Sequence, residues 1–300
     1  RSTLFPYTTL FRSRDYLDGN GETQIATDIV STDCWNCTEI YYNTKYLCQG
    51  NTNFITNPLS PNGDGTYIGD GHGLEVAKYC TFFVDGKEFE PIVSSSHIEG
   101  TQFKMILFSV MYKSGGGTAY TEYHQPKLDT NGEPIVLFKH YMEVTINADS
   151  DIIVDNKLEI CQDNVSWLAC NSAMMECNFG DFNTVVLSGQ GKTYISSLTD
   201  EGIPTALAGT EGVVNETSVY ASKVEMYGKG FYVSNEIIPM FENSHCNIRP
   251  RYYNDRLKCY LYPIRCSEAV GTDLPQLFNT GDVIATHNIR HVVLSDEITV

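Results

Sequence analysis

Long apolar runs are missing from this sequence. None approaches the ~18 residues that a membrane-spanning helix requires, and the longest, within Met105–Met111, is interrupted by Ser109. We therefore predict that no membrane span lies within these 300 residues.

Positive charge is also scarce. The 20 Lys and Arg residues are outnumbered by 37 Asp and Glu residues, which gives a formal net charge of −17. A field of this sign repels phosphate backbones, so we predict that nucleic acid is not a partner. An acidic surface keeps any protein soluble, and it also suits a cation-binding protein or a calcium-rich setting.

Helical periodicity is the third absence, because no amphipathic pattern extends over ten or more residues. The chain is instead rich in Tyr (19) and Phe (14), which favour pleated, half-buried strands. Asp85-Gly86 predicts a tight hairpin, since type I′ turns need positive φ at both central residues. Strand-like segments follow at Gln102–Tyr112, Pro134–Ile146, Thr184–Leu187, Lys192–Ser196, Lys223–Val233, Leu257–Tyr262 and Asp282–Leu294.

This pattern predicts an all-β fold made of antiparallel β-sandwich or jelly-roll-like modules, two or three in tandem. Residues 3–13 resemble an in-frame translation of a sequencing adapter, so residues 1–13 are predicted to be non-native and the chain a metagenomic fragment. The rest divides into an N-terminal β domain (14–128) and two sandwich-like modules (129–210 and 211–300). A repeated cysteine spacing and the Gly- and acid-rich segment 199–212 suggest the last boundary, with coincidence as the alternative.

The cysteines are even in number and clustered, which predicts up to five disulfides in an oxidising compartment. We accordingly expect an extracellular or cell-surface location, with any signal peptide lost from the missing N-terminus. The alternatives are a metal or redox site at the C-x-x-C of Cys34 and Cys37, and reduced thiols. The ten candidates are Cys34, Cys37, Cys48, Cys80, Cys161, Cys170, Cys177, Cys246, Cys259 and Cys266.

A Gly- and Asp-rich segment, 57–73, contains the best candidate for a metal site. Calcium takes six to eight oxygen ligands from a loop that bends sharply. Asn62, Asp64 and Asp70 are the predicted ligands, and a plain exposed loop is the alternative because Asn-Gly and Asp-Gly are ordinary turn residues. Calcium is the one cofactor that the sequence suggests.

Complete catalytic motifs are absent, including H-E-x-x-H and G-x-S-x-G. His287 and His291 lie in a strand-like segment, where four residues span about 13 Å, too far for one metal. Paired carboxylates of a glycosidase come from distant positions, so nothing in the sequence selects Asp151, Asp155 or Glu159 for such a role. No catalytic residue is assigned.

These features predict a non-catalytic, secreted or surface-exposed, disulfide-stabilised β protein. It would act in adhesion, binding or extracellular filament or structural assembly, with a protein (itself or a receptor) or a glycan as partner. One alternative is a virion structural protein, such as a capsid or receptor-binding subunit. A second alternative is a secreted polysaccharide-active hydrolase, although the missing motifs favour a protein that is not an enzyme.

Overall fold

The computed structural model confirms the predicted all-β fold: every regular element among the described residues is a strand. The described part contains no helix long and apolar enough to cross a membrane. The structure describes residues 11–12, 25–31, 35–42, 45–49, 54–59, 66–69, 72–89, 96–97, 100–116, 125–147, 151–178, 182–189, 191–197, 219–228, 231–241, 246–253, 256–265 and 277–294.

The strands are numbered in chain order. They are β1 (Phe11–Arg12), β2 (Ile25–Ser31), β3 (Trp35–Tyr42), β4 (Lys45–Gln49), β5 (Ile55–Leu59), β6 (Ile68–Gly69), β7 (Glu75–Val84), β8 (Lys87–Phe89), β9 (Ser96–His97), β10 (Gln102–Tyr112), β11 (Ser114–Gly116), β12 (Gln125–Pro126), β13 (Val136–Asn147), β14 (Asp151–Ile160), β15 (Ser166–Asn171), β16 (Ala173–Asn178), β17 (Phe182–Gly189), β18 (Lys192–Ser197), β19 (Lys223–Gly228), β20 (Phe231–Pro239), β21 (Asn247–Tyr253), β22 (Arg256–Tyr262), β23 (Ile264–Arg265) and β24 (Val283–Leu294).

Three sheets form the two main layers. The large sheet has ten strands in the order β18-β17-β19-β20-β24-β14-β13-β10-β7-β8. An eight-stranded sheet (β21-β22-β16-β4-β3-β2-β1-β9) and a four-stranded sheet (β23-β15-β5-β6) are separate from it, and β11 and β12 form a two-stranded ribbon. Strand partners in the large sheet are antiparallel throughout.

The large sheet has an inner face that is buried and an outer face that is partly exposed. Along β10, Phe103, Met105 and Leu107 are buried, whereas Lys104 and Ile106 between them are half-buried. This alternation follows from the period of two in a strand, and it continues along β13, β14 and β24.

The other two sheets cover different parts of the inner face. One hydrophobic cluster joins Met105 and Val144 of the large sheet to Met175 and Leu257 of the eight-stranded sheet. A second cluster joins the large sheet to residues of the four-stranded region, among them Ile68 and Cys170. Burial of these apolar side chains is the main stabilising contribution to the fold.

A row of buried polar side chains separates the two clusters on the inner face. Glu75 Oε1 lies 2.7 Å from His140 Nδ1 and accepts a 2.5 Å hydrogen bond from Ser109 Oγ. Asn156 Oδ1 lies 2.9 Å from His140 Nε2. His140 and Ser109 are 0% exposed and the other two only 2%, so this row is buried and connects four neighbouring strands of the sheet from within.

The predicted hairpin at Asp85-Gly86 is confirmed. Asp85 and Gly86 have φ values of 48° and 77°, and they connect β7 to β8. The Asp85 carboxylate also accepts hydrogen bonds from Thr101 and Gln102, which lower its pKa. One side chain therefore ties the turn to the start of β10.

The prediction of disulfides is wrong for the described cysteines Cys80, Cys161, Cys170 and Cys259, which are free thiols. Cys170 lies opposite Ile264 and Cys259 lies opposite Met175, so neither faces another cysteine. Buried thiols of this kind pack as small apolar side chains. Cys246 is buried in the first cluster, and the side chains of Cys34, Cys37, Cys48, Cys177 and Cys266 lie outside the described residues.

Alkylation under non-reducing conditions should label these four cysteines once the protein is denatured. Before denaturation, the half-buried Cys161 should react first, whereas Cys170 and Cys259 should be protected by burial. Burial raises the pKa of Cys161, so its labelling should be slow at neutral pH and accelerate as the pH rises and the thiolate forms. Peptide mass spectrometry checks this, and resistance of all four to alkylation in denaturant would contradict free thiols.

The ten-stranded sheet and the eight-stranded sheet each contain strands from more than one of the three predicted domains. The large sheet takes β7, β8 and β10 from 14–128, β13, β14, β17 and β18 from 129–210, and the remainder from 211–300. The two cysteine-bearing segments placed in separate modules pair with each other through β16 and β22 and through β15 and β23. The domain boundaries and the non-native origin of residues 1–13 stay predictions.

Candidate functional site

Aromatic side chains form a row across the outer face of the large sheet. Tyr79 of β7, Phe108 of β10 and Tyr141 of β13 are register neighbours. Their ring centroids are 5.5 Å apart for Tyr79 and Phe108 and 4.7 Å apart for Phe108 and Tyr141. Lys157 of β14 continues the row, with Nζ 5.3 Å from the Tyr141 centroid. Tyr79 is 52% exposed, so the row offers an apolar surface to solvent.

A charged row lies beside the aromatic row, two residues further along the same strands. Glu143 of β13 faces Asp155 of β14 directly, and Asp155 faces His287 of β24. Lys104 Nζ donates to Glu143 Oε1 at 2.5 Å, and His287 Nδ1 lies 2.7 Å from Asp155 Oδ1. Each carboxylate thus has its own basic partner.

Two carboxylates at facing positions weaken a sheet, because their Cβ atoms are only about 4.5–5.5 Å apart and like charges repel. Sequences avoid such pairs where stability alone decides. Glu143 and Asp155 form one in the middle of the large sheet, between β10 and β24, with an aromatic surface alongside. This facing pair, which lies beside a groove, is the candidate site of the described residues.

Residues of both rows line an open groove of about 350 Å³, whereas Phe108 and His287 lie beside it and are not among its lining residues. Its walls include Tyr79, Tyr141, Glu143, Asp155 and Lys157. At its end on the β20 side lies Met240, which is 64% exposed. The groove combines an apolar floor with a few convergent polar groups, the usual composition of a small-ligand site.

Proton transfer is the chemistry that these groups can perform. Because Asp155 fixes Nδ1 of His287, Nε2 is the ring nitrogen available to exchange a proton with a bound molecule. Glu143 lies two strands away from His287, about 10 Å between Cα atoms at ordinary strand spacing. A ligand above Asp155 would therefore have one ionisable group on each side.

A second pair of the same kind lies four residues along the same two strands. His291 Nδ1 bonds to Asp151 Oδ1, and the two residues face each other in register. Because β24 is a strand, as predicted, His287 and His291 are about 13 Å apart and cannot share one metal ion. The groove includes Asp155 but neither residue of this second pair.

The predicted calcium ligands Asn62, Asp64 and Asp70 lie outside the described residues, so that site stays a prediction. Within the described ranges, no group of three or more His, Cys, Asp or Glu side chains is arranged to hold a metal ion. The groove shares no residue with the predicted loop.

No protein-family model and no curated protein matches this chain. Among solved structures, the Slr1438 protein of Synechocystis sp. PCC 6803 is 6% identical with a TM-score of 0.47, over 91% of this chain and 92% of its own. A galactose 1-epimerase of Lactobacillus acidophilus NCFM is 9% identical with a TM-score of 0.42, over 94% and 98%. A glycoside hydrolase family 97 enzyme of Pseudoalteromonas sp. strain K8 is 10% identical with a TM-score of 0.43, over 89% of this chain and 34% of that one.

The prediction of a non-catalytic adhesion, binding or filament protein is wrong. Two of the structures just named, the galactose 1-epimerase and the glycoside hydrolase family 97 enzyme, are carbohydrate-active enzymes by name, and neither is an adhesion or structural protein. The reason for the error lies in the sequence: charged side chains that become neighbours in the folded sheet are dispersed over β13, β14 and β24 and form no motif. The lack of a contiguous catalytic motif in the sequence therefore does not show that a site is lacking.

Proposed function

We propose that the chain is a carbohydrate-processing enzyme and that the outer groove binds the sugar. The observation that carries the proposal is the facing pair Glu143 and Asp155 beside the aromatic row. Sugars present apolar C–H faces together with many hydroxyls, so they suit a surface that has rings on one side and charged hydrogen-bonding groups on the other.

Binding would begin on the rings. A sugar lying over Tyr79 and Tyr141 buries the C–H face, and its hydroxyls are then level with Glu143, Asp155 and Lys157. The carboxylates accept hydrogen bonds and the ammonium group donates them, and charge-assisted bonds are the stronger kind. The sugar is thereby oriented with its edge toward the charged row.

Reaction would follow by general acid–base catalysis. His287, oriented by Asp155, exchanges a proton at Nε2 on one side of the sugar, and Glu143 exchanges one on the other side. Lys104 keeps the Glu143 carboxylate in place through its 2.5 Å hydrogen bond. Reactions at the anomeric carbon of a sugar need this combination of a proton donor and a proton acceptor.

Removing the central ring tests the binding site. Tyr141→Ala should weaken sugar binding by about 2- to 12-fold, because an aromatic stacking contact contributes on the order of 0.5–1.5 kcal/mol. Titration calorimetry against neutral disaccharides measures the affinity. Tyr227→Ala is the matched control, since Tyr227 also packs against a neighbouring ring (Tyr232, 4.9 Å between centroids) on the same sheet but does not line the groove.

The activity is read by two assays on the same protein, release of reducing ends and interconversion of anomers. Turnover in either supports the proposal. Absence of sugar binding to the wild-type protein, or equal losses in Tyr141→Ala and Tyr227→Ala, would contradict it.

A further inference from the structure

A second hollow, of about 690 Å³, lies on the same face of the same central strands. It is lined by Lys139 of β13, by Glu159 of β14 with Gln162 beyond it, and by Thr280 and Gly281 before β24. We call it the adjoining hollow. Its walls carry hydrogen-bonding side chains, with Lys139 Nζ donating to Glu159 Oε1 at 2.6 Å.

The adjoining hollow continues the outer groove along the strands. Lys139 is two residues from Tyr141 on β13, and Glu159 is two residues from Lys157 on β14, so each neighbour is about 6.6–6.8 Å away on the same face. Lys139 and Glu159 are also register partners, as are Tyr141 and Lys157. The charged row, the aromatic row and the Lys139–Glu159 pair therefore follow one another in equal steps.

The length of this track sets the size of its ligand. From Glu143 to Val136, which lines the far end of the adjoining hollow, β13 runs about 23 Å. A single sugar ring occupies only the part near the charged row. Several sugar units joined end to end would occupy the whole track, each in contact with side chains of both β13 and β14.

The charges along the track point to a neutral ligand. Glu143 and Glu159 are each paired with a lysine and Asp155 contacts His287, whereas the chain as a whole carries −17. Such a chain repels polyanions at long range, and the balanced track gives no compensating attraction. Neutral hydroxyls can bond to both kinds of charged group.

We infer that the adjoining hollow is a set of subsites for the continuing chain of a neutral oligosaccharide or polysaccharide, whose reacting sugar lies in the outer groove. This inference rests on the proposed function and narrows its substrate class to a chain. The reaction at the charged row is then cleavage of a glycosidic bond, in which water adds across the bond, the departing sugar oxygen takes a proton and the anomeric carbon takes the hydroxyl.

A length series tests the inference. Neutral gluco-oligosaccharides from monosaccharide to hexasaccharide, in α-1,4 and β-1,4 forms, are titrated into the full chain by calorimetry. Affinity in one series should rise by about tenfold or more between disaccharide and hexasaccharide. Thr280→Trp, which fills the adjoining hollow from an exposed turn, should abolish this gain and leave disaccharide binding unchanged.

Control variants distinguish failure of the chain-binding inference from failure of the proposed function. Thr193→Trp places the same bulk at an exposed position on the edge strand β18, far from the track, and should keep the full gain. Lys139→Ala should reduce the gain, whereas Lys192→Ala should not. Affinity that is independent of length, or a gain that survives Thr280→Trp, overturns the chain-binding inference alone. Disaccharide binding that is insensitive to Tyr141→Ala overturns the proposed function, and absence of binding at every length overturns both.

Discussion

Glu143→Gln should lower sugar turnover by about 10²–10⁴-fold, the range expected when one proton-transfer group is lost. Glutamine keeps the shape of glutamate and can still accept a hydrogen bond from Lys104, but it cannot take up or release a proton at neutral pH. The loss should therefore fall on kcat while the affinity for the sugar changes little. Steady-state kinetics together with calorimetry on the same preparation separate the two quantities.

Glu225→Gln is the control for this variant. Glu225 lies on β19 of the same sheet and bonds to Lys223 at 2.7 Å, as Glu143 bonds to Lys104, but it lies outside the groove. Its kcat should equal that of the wild-type protein. Normal kcat in Glu143→Gln, or an equal fall in both variants, would show that Glu143 plays no part in proton transfer.

His140→Leu should destabilise the fold by about 1–3 kcal/mol, the usual cost of leaving a buried hydrogen-bonding group without its partner. Leucine fills the space left by the imidazole, but it leaves Glu75 Oε1 and Asn156 Oδ1 without their contacts to the ring. Glu75 Oε2 has no hydrogen-bond partner among the described residues, so the carboxylate depends on Oε1. Urea unfolding followed by circular dichroism measures the free energy of unfolding.

The double variant Glu75→Leu/His140→Leu tests whether the loss of stability in His140→Leu comes from the carboxyl group of Glu75 that has lost its partner. It should be more stable than His140→Leu alone, since replacing both partners by apolar side chains leaves no buried carboxyl group without its hydrogen-bond partner. His291→Leu, which removes a half-exposed histidine of the outer face, should change stability by less than about 1 kcal/mol. A double variant less stable than the single one would refute this account of the buried row.

The sequence predicted much of the sheet but not how its strands combine. Local signals were sufficient where a strand is long and alternating: β10 was predicted with the bounds that the structure shows, Gln102–Tyr112. One predicted strand, Lys223–Val233, is instead two strands, β19 and β20, joined in a hairpin. Pairing between strands distant in sequence, such as β14 with β24, depends on tertiary packing that no local pattern reveals.

The candidate site was missed because its residues are dispersed along the chain. One signal was present: Asp151 and Asp155 are four residues apart, as are His287 and His291. Equal spacings on two antiparallel strands allow two facing pairs, and the structure forms both. Reading β14 as a strand would have placed Asp155 and Lys157 on one face, because Ile152, Val154 and Leu158 fill the other.

The buried polar row also limits how the chain can be divided. β10, β13, β14 and β24 each cross the row, with one end in the first hydrophobic cluster and the other end in the second. Each cluster contains only part of every one of these strands. Dividing the chain between two strands therefore cannot yield a fragment that holds one complete cluster. Opening either cluster loosens strands that the other one shares, which couples the two and gives the middle of the large sheet the cooperativity of a single unit.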